Sequence, residues 1–148
     1  MRFHVLSASA LLFLATGCSG TPASDSAAAA DAEVAEVQPA VRIVSPASGD
    51  TVAQPFTVSL EAIGVELAPA GTMDEGKGHH HLVIDIDVPP DSLPLPPAPV
   101  VIHMGDASSE RVIEGLEPGT HRIIAVLADG AHVPMTSVKQ DTITVVVR

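Results

Sequence analysis

Hydrophobic and polar residues alternate in short stretches over the last hundred residues of the chain, and turn-forming residues separate these stretches. Phe56, Val58 and Leu60 fall on one side of an extended chain, and Val145 and Val147 do so near the C-terminus. Alternation with a period of two predicts strands that bury one face. The pattern predicts seven of them, over Val41–Val44, Phe56–Val65, His79–Asp87, Val100–Met104, Glu110–Glu114, His121–Leu127 and Thr142–Val147.

The connections between these strands are short and contain glycine, proline and aspartate, and no stretch has a helical period. Several short strands without crossover helices predict an all-β fold, and we expect an immunoglobulin-like antiparallel β-sandwich over residues 41–148. Residues 88–99 hold six of the 13 prolines of the chain. We expect this segment to be an extended connection between two strands, and a recognition segment for a partner protein is the alternative.

The N-terminal region has a different character. Residues 1–17 contain an early arginine and then an apolar run that is too short to cross a bilayer, which is typical of a signal peptide. The sequence Leu14-Ala15-Thr16-Gly17-Cys18 resembles a bacterial lipobox, in which the cysteine is lipidated and becomes the N-terminus. An ordinary signal peptide with an incidental cysteine is the alternative interpretation.

Residues 18–40 are small, acidic and rich in alanine, so we expect a disordered tether behind the lipidated cysteine. Ser19, directly after Cys18, resembles the signal that directs lipoproteins to the outer membrane. The sequence therefore predicts a cell-envelope lipoprotein that is held by its lipid anchor on the periplasmic face of the outer membrane.

Composition excludes several classes of function. There are 18 acidic and 7 basic side chains, for a net charge of -11, which argues against a nucleic-acid partner because such binding requires neutralisation of phosphates. The chain has no Trp, no Tyr and only three Phe, so it cannot stack bases or sugars on aromatic rings. Cys18 is the only cysteine, which excludes an internal disulfide and a cysteine-based metal site.

Histidine is the residue type that carries candidate chemistry. On a strand, His79 and His81 share one face at a spacing of about 6–7 Å, which is close enough for both rings to reach one metal ion. His80 points to the buried face, where we expect it to bond to backbone. Asp85 and Asp87 fall on the face of His81, where they are candidates to orient its ring. Solvation is the alternative interpretation, and we favour it for Asp87.

Strand direction predicts which other residues join this pair. If consecutive strands are antiparallel, the end of the fourth strand and the loop after the sixth strand lie at the same end of the sandwich as His79. His121 is left at the opposite end, where we expect it to bond to nearby backbone. Imidazole suits zinc, copper and nickel, and thioether adds a preference for Cu(I). The predicted ligands are His79, His81, His103, His132, Met104 and Met135.

We therefore expect a domain that binds a transition metal, with copper ahead of zinc, and that acts as a carrier or buffer rather than as an enzyme. No nucleophile elbow, zinc-protease motif or phosphate loop is present. Two alternatives remain open. One is a metal-free interaction domain whose histidine-rich end docks an envelope protein, and the other is a copper enzyme, for example one that handles superoxide.

Four motifs together resemble a bacterial family of secreted domains. They are Gly78-His79-His80-His81-Leu82-Val83-Ile84-Asp85, His103-Met104-Gly105, Leu116-x-Pro118-Gly119-x-His121 and Asp129-x-x-His132-Val133-Pro134. Together they are similar to domain-of-unknown-function family 4399, from about Val41 to Val147. The resemblance implies a small secreted domain without an assigned activity. Met135 stands where the family commonly has a further histidine, which favours copper over zinc.

Overall fold

The computed structural model describes residues 37–90 and 92–148. Three predicted features lie outside the described residues. They are the signal peptide, the lipidated Cys18 and the part of the tether that ends at residue 36. These described residues form one compact unit. Within the described ranges, no helix has the length and apolar character needed to span a membrane.

The described residues form nine strands and no helix, so the predicted all-β fold class is confirmed. All seven predicted strands are present, with ends shifted by at most three residues. Two strands of two residues each were not predicted, because so short a stretch shows no alternation. The strands are β1 Ala40–Ser45, β2 Thr51–Val52, β3 Phe56–Ile63, β4 Glu66–Leu67, β5 Lys77–Ile84, β6 Val101–Met104, β7 Glu110–Ile113, β8 Gly119–Ala128 and β9 Asp141–Val147.

The strands form two sheets that enclose the main core. The smaller sheet has the order β1-β3-β7, and the larger has the order β2-β9-β8-β5-β4, with β6 also paired to β5. The long strands pair antiparallel, as predicted, whereas the short β2 and β4 pair parallel with β9 and β5. Apolar side chains of both sheets meet between them, among them Val58, Leu60, Leu82, Ile123 and Val145.

The strand that carries the histidines is buried on both faces, contrary to the prediction of one solvent face. Leu82 and Ile84 point into the main core. Val83 points to the outer side, where it joins a second apolar cluster with Val101, Ile124 and others. The strand also ends earlier than predicted, because Asp85 takes a left-handed conformation with φ of 59°. Ile86, which would lie on the buried face if the strand continued to residue 87 as predicted, is therefore exposed.

The proline segment, residues 88–99, covers this outer face. Leu95 is buried in the second cluster, and its N–H donates to the carbonyl of His132 at 2.9 Å. Turn-type hydrogen bonds from Leu93 N–H to Pro90 and from Val101 N–H to Ala98 interrupt its extended course. The segment is thus a connection between β5 and β6, as predicted, but it folds back over the larger sheet instead of running straight.

Candidate metal centre

Three adjacent strands of the larger sheet bring four histidines together. His79 and His81 come from one face of β5, and His103 stands opposite His81 on β6. On the other edge of β5, Ala128 of β8 stands opposite His79, and the loop that follows β8 carries His132. The predicted strand directions therefore hold, and they place His79, His81, His103 and His132 at one end of the sheet.

The four imidazoles point toward a common centre. The Nε2 atoms of His79 and His81 are 3.0 Å apart, and those of His103 and His132 are 3.2 Å apart. One ring nitrogen from each of the four lies within 4.8 Å of the others. Four nitrogens bound tetrahedrally at about 2.0–2.1 Å from a zinc-sized ion would be about 3.3 Å apart. Shifts of less than about an ångström per ring would thus close the set on one ion.

The two histidines that β5 contributes to the cluster, His79 and His81, are held in the neutral form. His79 and His81 are both buried. The pKa of His79 is lowered to about 4, mainly by burial and in addition by the neighbouring imidazoles of His103 and His132. Burial likewise lowers the pKa of His81 to about 3, again with help from the surrounding rings. Neutral imidazole is the form that binds a metal ion, so the pair is ready for an ion at pH 7.

The Nδ1 atoms of these two histidines have no hydrogen-bond partner among the described residues, although both atoms are buried. A buried polar atom without a partner costs about 1–3 kcal/mol of folding free energy. The rings of His79 and His81 are therefore oriented by packing and not by hydrogen bonds on their far side. In the absence of an ion, we therefore expect the rings of His79 and His81 to make the domain less stable than apolar side chains of the same size would.

A turn built on Asp129 presents His132. Oδ1 of Asp129 accepts hydrogen bonds from the N–H groups of Ala131 and Val133 at 2.9 and 3.0 Å. His132 itself has φ of 68°, in the left-handed region that a histidine seldom occupies. Its N–H donates to the carbonyl of Asp129 at 2.9 Å. Asp129 is thus a positioning residue, which sequence reasoning recognised only as part of a turn.

A small residue makes room for the third ring. A Cβ atom added to Gly105 would clash with the imidazole of His103, which lies over the glycine backbone. Arg111 donates a hydrogen bond to the carbonyl of His103 at 2.9 Å and so supports the strand from the side. The sequence shows this arrangement only as a glycine, Gly105, two residues after His103. That Gly105 makes room for the His103 ring was not predicted.

The structure does not bring the two predicted methionine ligands into this group. Met104 is fully buried in the main core, because side chains alternate along β6 and the neighbouring His103 takes the outer face. Met135 packs against the main core, and its Sδ lies over Gly78, on the same face of β5 as His80. The donor set that the structure assembles consists of four imidazole nitrogens.

The two other histidines that the structure describes, His80 and His121, lie elsewhere, as predicted. The side chain of His80 points to the main-core side of β5, and its Nδ1 is 3.0 Å from the carbonyl oxygen of Ser108. His121 lies at the opposite end of the sheet, where Asp85 and the carbonyl of Glu117 bind its ring at 2.6 and 2.7 Å. The expectation that Asp85 orients His81 is wrong, since the chain turns after Ile84 and Asp85 reaches His121 instead.

Asp87 also lies away from the four histidines. Its carboxylate accepts a hydrogen bond from Arg122 at 2.7 Å, and its side chain is largely exposed. This agrees with the prediction of a solvated residue.

A pocket of about 260 Å³ opens beside the four histidines. We call it the proline pocket, since it is lined by His81, His103 and His132 together with Leu95, Pro96, Pro97 and Val101. A more open cleft of about 420 Å³ lies on the other side of the His132 loop, next to Met73 and Met135, and none of the four histidines lines it. The proline pocket is therefore a cavity from which a solute can contact three of the four rings.

Comparison with known proteins gives a family but no activity. The model of a family described as a domain of unknown function (DUF4399) matches residues 58–148. The match includes all four histidines and begins within β3, so it is shorter at its N-terminal end than the resemblance had suggested. No curated protein and no solved structure matches the chain significantly.

Proposed function

We propose that this chain, which belongs to the DUF4399 family of domains of unknown function, binds a divalent transition-metal ion through His79, His81, His103 and His132. The observation that carries the proposal is the convergence of four imidazoles from three neighbouring segments, two of them buried without hydrogen-bond partners at Nδ1. Buried polar atoms that lower stability are typical of a functional site. An ion bound only by the folded chain would offset that loss.

Copper(II) is the ion that we propose. Among divalent first-row ions, affinity for nitrogen donors rises to copper and falls again at zinc. A preference for Cu(I) would need thioether ligands at the site, and Met104 lies on the other face of the sheet. Zinc is the competing ion, because four nitrogen donors also complete a tetrahedral zinc site.

A carrier or buffer is the role that we propose for the loaded protein. All four ligands come from the chain itself, which is typical of sites that hold an ion rather than of hydrolytic sites with three protein ligands. The predicted lipobox cysteine, Cys18, and the acidic region behind it support a location in the cell envelope, with the domain anchored to a membrane by lipid. A tether of that kind would keep a metal-binding domain close to the membrane surface.

Competition titrations test the proposal. We expect the wild-type chain to take up one equivalent of Cu(II), and His79→Ala, His81→Ala, His103→Ala and His132→Ala each to weaken binding at least tenfold, or about 1.4 kcal/mol. His121→Ala is the matched control, because it removes a histidine at the opposite end of the sheet and should leave affinity unchanged below its melting temperature.

Three results would contradict parts of this proposal. No measurable affinity for Cu(II) or Zn(II) would favour a metal-free domain that docks an envelope protein. Equal losses in all five variants would show that the four-histidine centre is not the binding site. If zinc binds more tightly than copper, or if the untagged protein purified from cells contains zinc, the choice of copper is overturned but metal binding by the four histidines is not.

A further inference from the structure

The proline pocket is larger than a metal site needs. At about 30 Å³ for each water molecule, its volume of about 260 Å³ equals that of roughly nine waters. The ion itself would sit among the four ring nitrogens at the edge of this space, and a single bound water would leave most of it unused. The pocket thus has room for an organic molecule of about ten non-hydrogen atoms beside the ion.

The position of the histidines decides which way an ion faces. His81, His103 and His132 line the pocket, whereas His79 does not and lies behind them at the start of β5. An ion held by all four rings therefore has its accessible side toward the pocket. A copper ion held in this site could take a further ligand at the position that faces the pocket. A donor atom that enters from the pocket can reach that position.

The remaining lining selects the chemistry of such a ligand. Leu95 and Val101 are apolar, and Pro96 and Pro97 have no N–H to donate. Among the residues that the structure describes, no carboxylate, ammonium or guanidinium group lines the pocket. An anion would lose its hydration there without a compensating partner, whereas burial of apolar surface contributes about 25 cal/mol per Å². Nitrogen is the donor that matches the four imidazoles and a borderline ion.

We propose that the proline pocket binds a small neutral molecule that places one nitrogen donor on the bound ion and an apolar body against Leu95, Pro96, Pro97 and Val101. This inference rests on the proposed function, since the ion anchors the ligand. It goes further in assigning a ligand class to the site and in making the loaded protein a receptor for that ligand, not only a store for metal.

The test uses the copper-loaded full chain and three probes. Imidazole supplies the nitrogen donor alone, 4-phenylimidazole adds an apolar body, and azide supplies a nitrogen donor with a negative charge. We would follow binding by electron paramagnetic resonance and visible absorption, and measure retained copper after gel filtration. We expect 4-phenylimidazole to bind at least tenfold more tightly than imidazole, and azide to bind no more tightly than imidazole.

Two wall variants and one control separate the pocket from general effects. Val101→Thr keeps the volume but adds a hydroxyl, and Pro97→Ser removes an exposed part of the wall. Each should reduce the preference for 4-phenylimidazole at least threefold while copper affinity stays unchanged. Val112→Thr changes an exposed valine on β7 of the other sheet and should have no effect. If one wall variant has a much lower melting temperature than the wild type, the other wall variant is used, so the test does not depend on one substitution.

The outcomes distinguish the two proposals. Equal affinities for imidazole and 4-phenylimidazole, or retained copper with no spectral change for either, would overturn the ligand pocket and leave metal binding intact. Loss of copper to the probe would also overturn it, because the ligand would then compete with the histidines. Failure to bind copper at all would overturn the proposed function and this inference together.

Discussion

Individual histidines have opposite effects on the stability of this domain. His81 is buried with an unpartnered Nδ1, whereas both nitrogens of His121 have partners. The same residue type is therefore expected to destabilise the fold at one end of the sheet and to stabilise it at the other. This contrast can be measured in the metal-free protein.

We expect His81→Leu to leave the melting temperature of the metal-free protein unchanged or to raise it, because an apolar side chain of similar size replaces a buried polar ring. The same variant should lose metal binding. His121→Ala should lower the free energy of unfolding by about 1–2 kcal/mol, since a bond to a charged group contributes about 1.5–3 kcal/mol and Asp85 is partly exposed. Thermal melts of both variants check this, and similar losses in the two would contradict it.

The pH dependence of stability should report the His121–Asp85 pair. The bond to the carbonyl of Glu117, and then that to Asp85, raise the pKa of His121 above its ordinary value. Burial acts to raise the pKa of Asp85, but the bonds from Arg122 N–H and His121 outweigh it and hold that pKa below its usual range.

The signs of these shifts define a window. Stability from His121 is fully present below its unfolded pKa of about 6.5 and is lost as the pH rises through the raised value. Stability from Asp85 is present above about pH 3.9 and is lost as the pH falls through the lowered value. Urea unfolding of wild type, His121→Asn, Asp85→Asn and the double variant should show a coupling energy that is largest between about pH 4 and 6.5. A coupling independent of pH would rule out an ionic contribution.

At the scale of elements, the site depends on a loop and not only on strands. Asp129 holds the turn in which His132 is left-handed, and its Oδ1 accepts both hydrogen bonds of that turn. Loss of these bonds should release His132 from the other three rings while β8 itself stays paired. The loop is therefore the part of the site most easily disturbed from outside the ligand set.

We expect Asp129→Ala to weaken Cu(II) binding about as much as His132→Ala does, at least tenfold. Asp129→Asn should restore most of the affinity, because its amide oxygen can accept the same two N–H groups. Affinities of the three variants, and of the double variant Asp129→Ala with His132→Ala, would be measured by competition. Additive losses in the double variant would show that Asp129 does not act through His132.

The strands could be predicted where their residues alternate, and their directions were enough to gather the four histidines. Burial on both faces of β5 was missed, although the uninterrupted run Leu82-Val83-Ile84 is typical of a strand covered on two sides. Alternation along β6 separates His103 from Met104, so that methionine could have been placed correctly from sequence. The covering position of the proline segment depends on Leu95 packing across the sheet, and no local pattern reports such a contact.

At the scale of the whole molecule, the domain has to be considered with the N-terminal region that precedes it. The proposed carrier role needs the domain to stay near a membrane, and Cys18 is the only residue of the chain that could be lipidated as a bacterial lipoprotein. The proposed metal binding and the proposed anchoring depend on separate parts of the sequence, so we expect that each can be removed without the other.

We expect Cys18→Ser to move the protein from membrane fractions to the soluble periplasmic fraction, because no lipid can be attached to serine by a thioether bond. Copper affinity should stay the same. Mass spectrometry of the wild-type protein should find no residue before Cys18. A variant that stays with the membrane would contradict the lipoprotein prediction, and His81→Ala is the converse control, expected to lose copper but not its anchor.

The four histidines come from stretches of chain that are far apart in sequence, with His132 joining only when β5 and β8 have paired. An unfolded chain offers the consecutive His79, His80 and His81 as its local group of ligands, which we expect to bind an ion weakly compared with four converging rings. If the protein crosses the inner membrane unfolded, it arrives in the envelope without its ion. The identity of the bound metal is then decided after export, by the ions that are present where the domain completes its folding.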